Sequence, residues 1–345
     1  MNAALNELLK QTSRSFYRTL RILPIAVREQ ISLAYLLART TDTIADTELV
    51  PVEQRLHALQ KLRERLRGTN QTPLDFGELA RQQVSSAEGA LLEKVEDSLA
   101  LLRTLLPEDL QRVREVLETI TSGQELDLRR FAGAAADNII ALSSDAELDD
   151  YTYRVAGCVG EFWTKMCRTH LFPAERLDDT RLLSDAVRFG KGLQLVNVLR
   201  DVPVDLRTGR CYLPSDGLAL TGLSSADLLK PVNEAKLRPL YDAWLDRAEE
   251  HLAAGWAYTN ALPRGQVRVR LACAWPILIG VETIKRLRVE NVLDPARRIK
   301  ITRAEVRKLF ARSIIFYAWP AGWSRLFSPA GSAQGKAVAS GANFK

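Results

Sequence analysis

Ile31-Ser-Leu-Ala-Tyr-Leu-Leu-Ala38 runs straight into Arg39-Thr-Thr-Asp42-Thr-Ile-Ala-Asp46. The first half is too apolar for a simple surface helix, yet the second half carries two carboxylates four positions apart. On an α-helix such residues differ by about 40° in azimuth, so Asp42 and Asp46 share one face, one turn apart. An ionised carboxylate on a mostly buried helix carries a large desolvation penalty unless a cation offsets it. The pattern returns downstream, where Gly192-Leu-Gln-Leu-Val-Asn-Val-Leu199 leads into Arg200-Asp-Val-Pro-Val-Asp205. Here Asn197, Asp201 and Asp205 follow at successive turns within about 80° of one face. Either acidic pair alone reads most simply as a solvated face; the apolar run ahead of each turns the reading toward a shared multivalent cation. All-oxygen donors suit magnesium, which commonly joins one or two carboxylates to substrate phosphates. Two such faces across a cavity would grip a diphosphate.

Working outward, apolar residues recur at i, i+3 and i+4 through nearly the whole chain, and alternating strand patterns are scarce. The periodicity predicts an all-α protein with helices over 27–46, 50–67, 76–84, 86–105, 107–130, 147–168, 178–205, 224–228, 233–261, 266–290 and 302–318. The breaks, such as Gly68-Thr-Asn-Gln-Thr-Pro73, carry turn residues but do not read as domain linkers. No internal repeat is visible, so the expectation is one catalytic domain over 1–327 with helices around a common interior, followed by a disordered Gly, Ala and Ser-rich tail over 328–345.

The 345-residue chain has a hydrophobic share of 46% and a charged share of 26%, which excludes a disordered or fibrous class. A net charge of +6, with both signs interspersed, gives no nucleic-acid footprint; an anionic substrate or a lipid surface fits it. Cys158, Cys167, Cys211 and Cys273 sit in apolar contexts without CxxC spacing, and read as core thiols in a reducing cytosol. No secretory signal and no spanning segment are read, so the expected location is cytoplasmic. The aromatic stretch Ser313–Phe327 allows at most a peripheral contact on the inner membrane face, through Trp319, Trp323 and Phe327. Nothing in the sequence signals an oligomeric state.

Cationic side chains accompany the acidic ones. Arg39 precedes Asp42 by three residues, Arg200 adjoins Asp201, and Arg210 follows in Gly209-Arg-Cys-Tyr-Leu-Pro214, all suited to phosphate oxygens. Ser13-Arg14-Ser15 adds hydroxyls and a guanidinium, expected as a flexible flap. Together, Ser13-Arg-Ser-Phe16, Tyr35-Leu-Leu-Ala-Arg39 with Asp42 and Asp46, Tyr151-Thr-Tyr-Arg-Val-Ala-Gly-Cys-Val-Gly160, and Gln194-Leu-Val-Asn-Val-Leu-Arg-Asp201 with Asp205 closely resemble the squalene/phytoene synthases. The resemblance covers roughly residues 10–310, with four separated blocks in the family's order.

That resemblance implies the all-α isoprenoid synthase fold and the head-to-head joining of two prenyl diphosphates, farnesyl diphosphate in the first instance. It implies that Asp42, Asp46, Asn197, Asp201 and Asp205 bind magnesium, with manganese as an alternative. Ser13, Arg14, Ser15, Arg39, Gln194, Arg200 and Arg210 would bind or cover the diphosphates. Tyr35 and Tyr151 would line the reacting centre, where a ring face stabilises a carbocation. Cys273-Ala-Trp-Pro276 and Arg298-Ile-Lys-Ile301 resemble the squalene-synthase pattern of Cys-Ala-Ile-Pro followed by Val-Lys-Ile-Arg. This implies a farnesyl-diphosphate farnesyltransferase that goes on to reduce its intermediate with NADPH, Lys300 meeting the cofactor phosphates. The alternative is a phytoene, dehydrosqualene or presqualene diphosphate synthase without the reductive step. The chain departs from the family pattern at Ala45 and Val204, where an acidic residue is common, at Thr302, which replaces an Arg, and at Pro203, expected to kink its helix.

Overall fold

The computed structural model describes residues 3–13 and 16–328. In chain order its helices are α1 (Ala3–Ser13), α2 (Phe16–Ile22), α3 (Ile25–Ala45), α4 (Val52–Arg67), α5 (Gly77–Arg81), α6 (Ser86–Glu93), α7 (Val95–Leu102), α8 (Pro107–Arg130), α9 (Asp145–Thr152), α10 (Cys158–His170), α11 (Asp179–Asp205), α12 (Ser215–Leu220), α13 (Glu234–Ala261), α14 (Val267–Leu287), α15 (Arg303–Phe316) and α16 (Pro320–Ser324). Among the described residues the only sheet is a pair of two-residue strands, β1 (Ile140–Ala141) and β2 (Arg210–Cys211). The all-α expectation holds. The sequence reading missed α1, α2, α12 and α16, and gave no hint of the strands, which are too short to show alternation. It drew 86–105 as one helix where Lys94 leaves helical geometry between α6 and α7. It also passed over a π-helical turn at Tyr153–Gly157, between α9 and α10.

The chain divides into two compact units, Met1–Ala132 with Tyr153–Arg176, and Gly133–Thr152 with Leu177–Lys345. In the first, α3 packs on α4, α7 and α8. Leu33, Leu36, Leu37 and Ile44 are fully buried, and at roughly 1.5–3 kcal/mol each they hold α3 firmly enough to carry carboxylates at its end. Pro107 opens α8 at a position where its missing N–H costs nothing. Glu108 and Asp109 in its first turn and Arg129 and Arg130 in its last match the helix dipole.

In the second unit, α11 and α13 pack along much of their length. Their close approach depends on Gly192, where a Cβ would lie 2.9 Å from the Cβ of His251. Despite Pro203, α11 continues to Asp205. Proline offers no N–H to the carbonyl four residues back, and that carbonyl, of Leu199, accepts instead from the Tyr241 hydroxyl of α13 at 2.8 Å. Beyond α11, Gly209 adopts φ +81°, and a Cβ there would strike the Ala135 backbone nitrogen at 2.2 Å. Only glycine fits this turn, which delivers Arg210 and Cys211 to the parallel pairing with Ile140 and Ala141.

Candidate active site

In the first unit the acidic pair closes α3. Asp42 lies in the last turn and Asp46 is the C-cap, its N–H donating to the Asp42 carbonyl at 2.8 Å. Arg39 donates to Asp42 Oδ2 at 3.2 Å and, through its other terminal nitrogen, to Glu88 Oε1 at 3.1 Å. On the opposite side Gln124 Nε2 of α8 donates to Asp42 Oδ1. The Asp42 side chain keeps 38% of its surface exposed, but its near surroundings are mostly protein. Burial pushes its carboxyl upward in pKa, and Arg39 and Gln124 hold it down against that. Asp46 is exposed. Tyr35, two turns before Asp42, stacks on Phe16 with ring centroids 5.1 Å apart. Gln124 was missed by the sequence reading. Its signal is a polar residue in the buried stripe of Val116, Ile120 and Leu128, with an Oε1 that is buried and accepts no hydrogen bond.

In the second unit, Arg200 grips Asp201 with both forks, Nε to Oδ1 at 2.9 Å and a terminal nitrogen to Oδ2 at 2.5 Å. One turn earlier Asn197 is exposed and donates to Gln194 Oε1 at 3.4 Å, while Gln194 Nε2 donates to the Tyr151 hydroxyl at 3.4 Å. The Tyr151 ring packs on Tyr212 at 4.8 Å between centroids. A polar chain thus runs from Asn197 on α11 to a tyrosine on α9. Tyr212 is the second residue that sequence reasoning passed over; it sits one position past the end of β2. Asp205, at the end of α11, is half-buried.

Both motifs therefore present oxygen donors, and each holds one aspartate in the grip of its own arginine. Among the described residues no three acidic, His or Cys side chains gather closely enough to cage a metal ion. The donor set fits a hard divalent cation that takes only one or two carboxylates and completes its shell from phosphate oxygens and water. Each guanidinium can exchange its carboxylate for a phosphate of matching geometry.

The family description "Squalene/phytoene synthase" matches residues 9–305. The chain belongs to the squalene/phytoene synthase family. It is 32% identical over 254 residues to a presqualene diphosphate synthase of Rhodopseudomonas palustris, covering 74% of this chain and 77% of that one. To a phytoene synthase of Arthrospira platensis it is 30% identical over 251 residues, 71% of each chain. A solved structure of TcSQS with the ligand E5700 superposes with a TM-score of 0.73 at 22% identity, covering 90% of this chain and 84% of that one, and so shares its fold. For this squalene/phytoene synthase, the isoprenoid synthase fold expected from the sequence is thus shown.

The remaining residues singled out in this squalene/phytoene synthase fall in varied settings. Ser13 ends α1 buried, with its hydroxyl donating to the Leu9 carbonyl; it belongs to a helix, and the expected flap does not begin there. Arg14 and Ser15 lie outside the described residues, as does the expected tail beyond Ser328. Arg210 is half-buried on β2. Lys300 is exposed, and its carbonyl accepts from Arg286. Thr302 caps α15: its hydroxyl accepts from the Glu305 N–H at 3.2 Å while its own N–H donates to Glu305 Oε2 at 2.7 Å. The Thr302 N–H and hydroxyl both donate to that carboxylate at 2.7 Å and, with one bond from Arg286, draw the Glu305 carboxyl down to about 2. All four cysteines are buried free thiols, and burial pushes those of Cys158 and Cys211 up to about 12. Of the three aromatics expected at a membrane, Trp323 is buried and stacks on Trp256 at 5.1 Å, and Phe327 stacks on the same ring at 5.7 Å. Trp319 alone of the three is open, at 54%. No described helix is long and apolar enough to cross a membrane.

Proposed function

We propose that the protein is a magnesium-dependent prenyltransferase that joins two farnesyl diphosphates head to head and releases presqualene diphosphate. The observation that carries this reading is the pair of arginine-clamped aspartate motifs, Arg39 with Asp42 and Arg200 with Asp201, in a chain 32% identical to a presqualene diphosphate synthase. The match over 9–305 supports taking 1–327 as one catalytic region. Asp42 and Asp46 in one unit, and Asp201, Asp205 and Asn197 in the other, supply the oxygen atoms for magnesium. Bound magnesium would neutralise the departing diphosphate as a Lewis acid. Arg39, Arg200 and Arg210 bind phosphate oxygens. As the allylic C–O bond of one substrate breaks, its first carbon bonds to the double bond of the second. Loss of one proton closes the cyclopropane, the second diphosphate staying attached. Released diphosphate takes that proton, and Tyr35 and Tyr151 offer ring faces to the cation.

The reductive step implied by the Cys273 and Lys300 segments has less support. Thr302 is engaged as a helix cap and Arg286 is bound to the Lys300 carbonyl and Glu305, and the relative at 32% identity is named for the unreduced product. Product analysis decides between the two. With farnesyl diphosphate and magnesium the purified protein is expected to give presqualene diphosphate whether or not NADPH is added. Squalene appearing only with NADPH would overturn this and favour a squalene synthase. A parallel reaction with geranylgeranyl diphosphate reads the preferred chain length, and phytoene as its dominant product would replace the farnesyl assignment.

A further inference from the structure

Buried or half-buried arginines in this protein usually meet a carboxylate: Arg65 meets Glu96, Arg63 meets Glu118 and Glu125, and Arg288 meets Asp246 and Glu249. Arg270 does not. It is 6% exposed, in the first turn of α14, and pairs with no carboxylate among the described residues. Its guanidinium lies 5.5 Å from the Tyr317 ring centroid and 5.6 Å from that of Trp323. Only two neutral oxygens accept from it, Asn260 Oδ1 at 3.0 Å and the Leu262 carbonyl at 3.5 Å, and its buried Nε has no acceptor. Asn260 Oδ1 is shared with the Trp323 indole N–H at 2.8 Å, so it cannot be turned wholly to the charge.

Beside this guanidinium is a cavity of about 270 Å³, lined by Arg264, Arg270, Tyr317, Pro320 and Trp323 among others. Arg264 is a second cation without a carboxylate partner among the described residues, and the Tyr317 hydroxyl donates to its carbonyl at 2.6 Å, fixing that turn against the cavity wall. The first turn of α14 contains no acidic residue, so its free N–H groups add positive potential rather than cancelling it. Burial and the nearness of Arg264 both push the Arg270 pKa down, the mark of positive charge left uncompensated.

We propose that this cavity is an anion site that takes a phosphate group, held by Arg264 and Arg270 and walled by the rings of Tyr317 and Trp323. The charge-assisted forks suit phosphate oxygens, and the apolar walls suit the carbon side of a phosphate ester. The group comes either from a free phosphate or from the headgroup of an anionic lipid. The full chain is used with EDTA present, which removes metal-dependent diphosphate binding elsewhere from the measurement while Asp42 and Asp201 stay on their arginines. Inorganic phosphate is titrated by calorimetry, and vesicles of phosphatidylglycerol or of phosphatidylcholine are tested by flotation. Binding of phosphate at one per chain, weakened about tenfold by Arg264→Gln, supports a free-phosphate site. Retention on phosphatidylglycerol vesicles alone, lost in Arg264→Gln, supports a lipid headgroup. Arg264 is exposed, so its replacement leaves the fold intact. No binding to either probe, or equal binding by Arg264→Gln and its parent, overturns the proposal.

Discussion

Asp42 is held by Arg39 on one oxygen and Gln124 on the other, so Asp42→Asn removes the charge, while its oxygen still accepts from Arg39 and its NH2 meets the free Oε1 of Gln124 once that amide turns over. Asp42→Asn and Asp201→Asn are each expected to lower the rate with farnesyl diphosphate by about a hundredfold or more, on the order of 3 kcal/mol of lost transition-state stabilisation. Melting temperature should move little, and product formation at the parent rate by either variant would sink their role. His251 gives a different signal. Burial first, then Arg188 and Lys191, lower its pKa to about 4, against smaller opposition from Asp149, and its Nδ1 accepts from Arg188 at 3.4 Å. The folded chain refuses a proton that the unfolded chain accepts below about pH 6.5. Stability therefore falls as pH drops from about 6.5 to 4, by roughly 2 kcal/mol once solvent screening of this half-buried ring is discounted, and levels off below. Denaturant titrations across that range should show His251→Gln with a shallower acid slope; an unchanged slope would refute the assignment.

At the scale of the element, α11 carries an acidic motif across a proline because α13 supplies the missing donor. Tyr241→Phe should cost about 1–3 kcal/mol by leaving the Leu199 carbonyl buried without a partner. Pro203→Ala restores an N–H to that carbonyl, so the double replacement should recover most of the loss. Unfolding free energies of the four chains test this, and a double variant no better than Tyr241→Phe would show that the hydroxyl acts otherwise. The sequence alone showed that Pro203 removes a bond, but not that a residue on another helix replaces it. Helices were legible because long apolar stripes repeat locally, as in α3 and α8. What stayed hidden depends on contacts distant in sequence: Gln124 on Asp42, Tyr212 on Tyr151, and the β1–β2 pairing that Gly209 permits. Thr302, read as a departure near a cofactor, is explained by the capping of α15.

For the whole molecule, the sparse carboxylate count at each motif has a thermodynamic signature. With no group of three acidic, His or Cys side chains gathered among the described residues, magnesium alone should bind weakly and shift the melting temperature by about 1 °C or less. Magnesium together with diphosphate should raise it by several degrees, since only a ligand that binds the folded state tightly stabilises it. Differential scanning calorimetry checks this, and a large shift with magnesium alone would mean that a complete protein cage exists. The sequence located the acidic motifs and arginines residue by residue, and placed the thiols in the core, because burial follows composition. It did not show that Trp323 and Phe327, expected at a lipid surface, both lie on Trp256, since nothing local reveals those contacts. The four closed thiols also have a practical use. A chain whose native cysteines are shielded from maleimides is already a blank background for site-directed labelling. A single cysteine at Leu49 or Leu220, exposed at 74% and 90%, would carry a fluorophore or spin label without any native thiol first being removed.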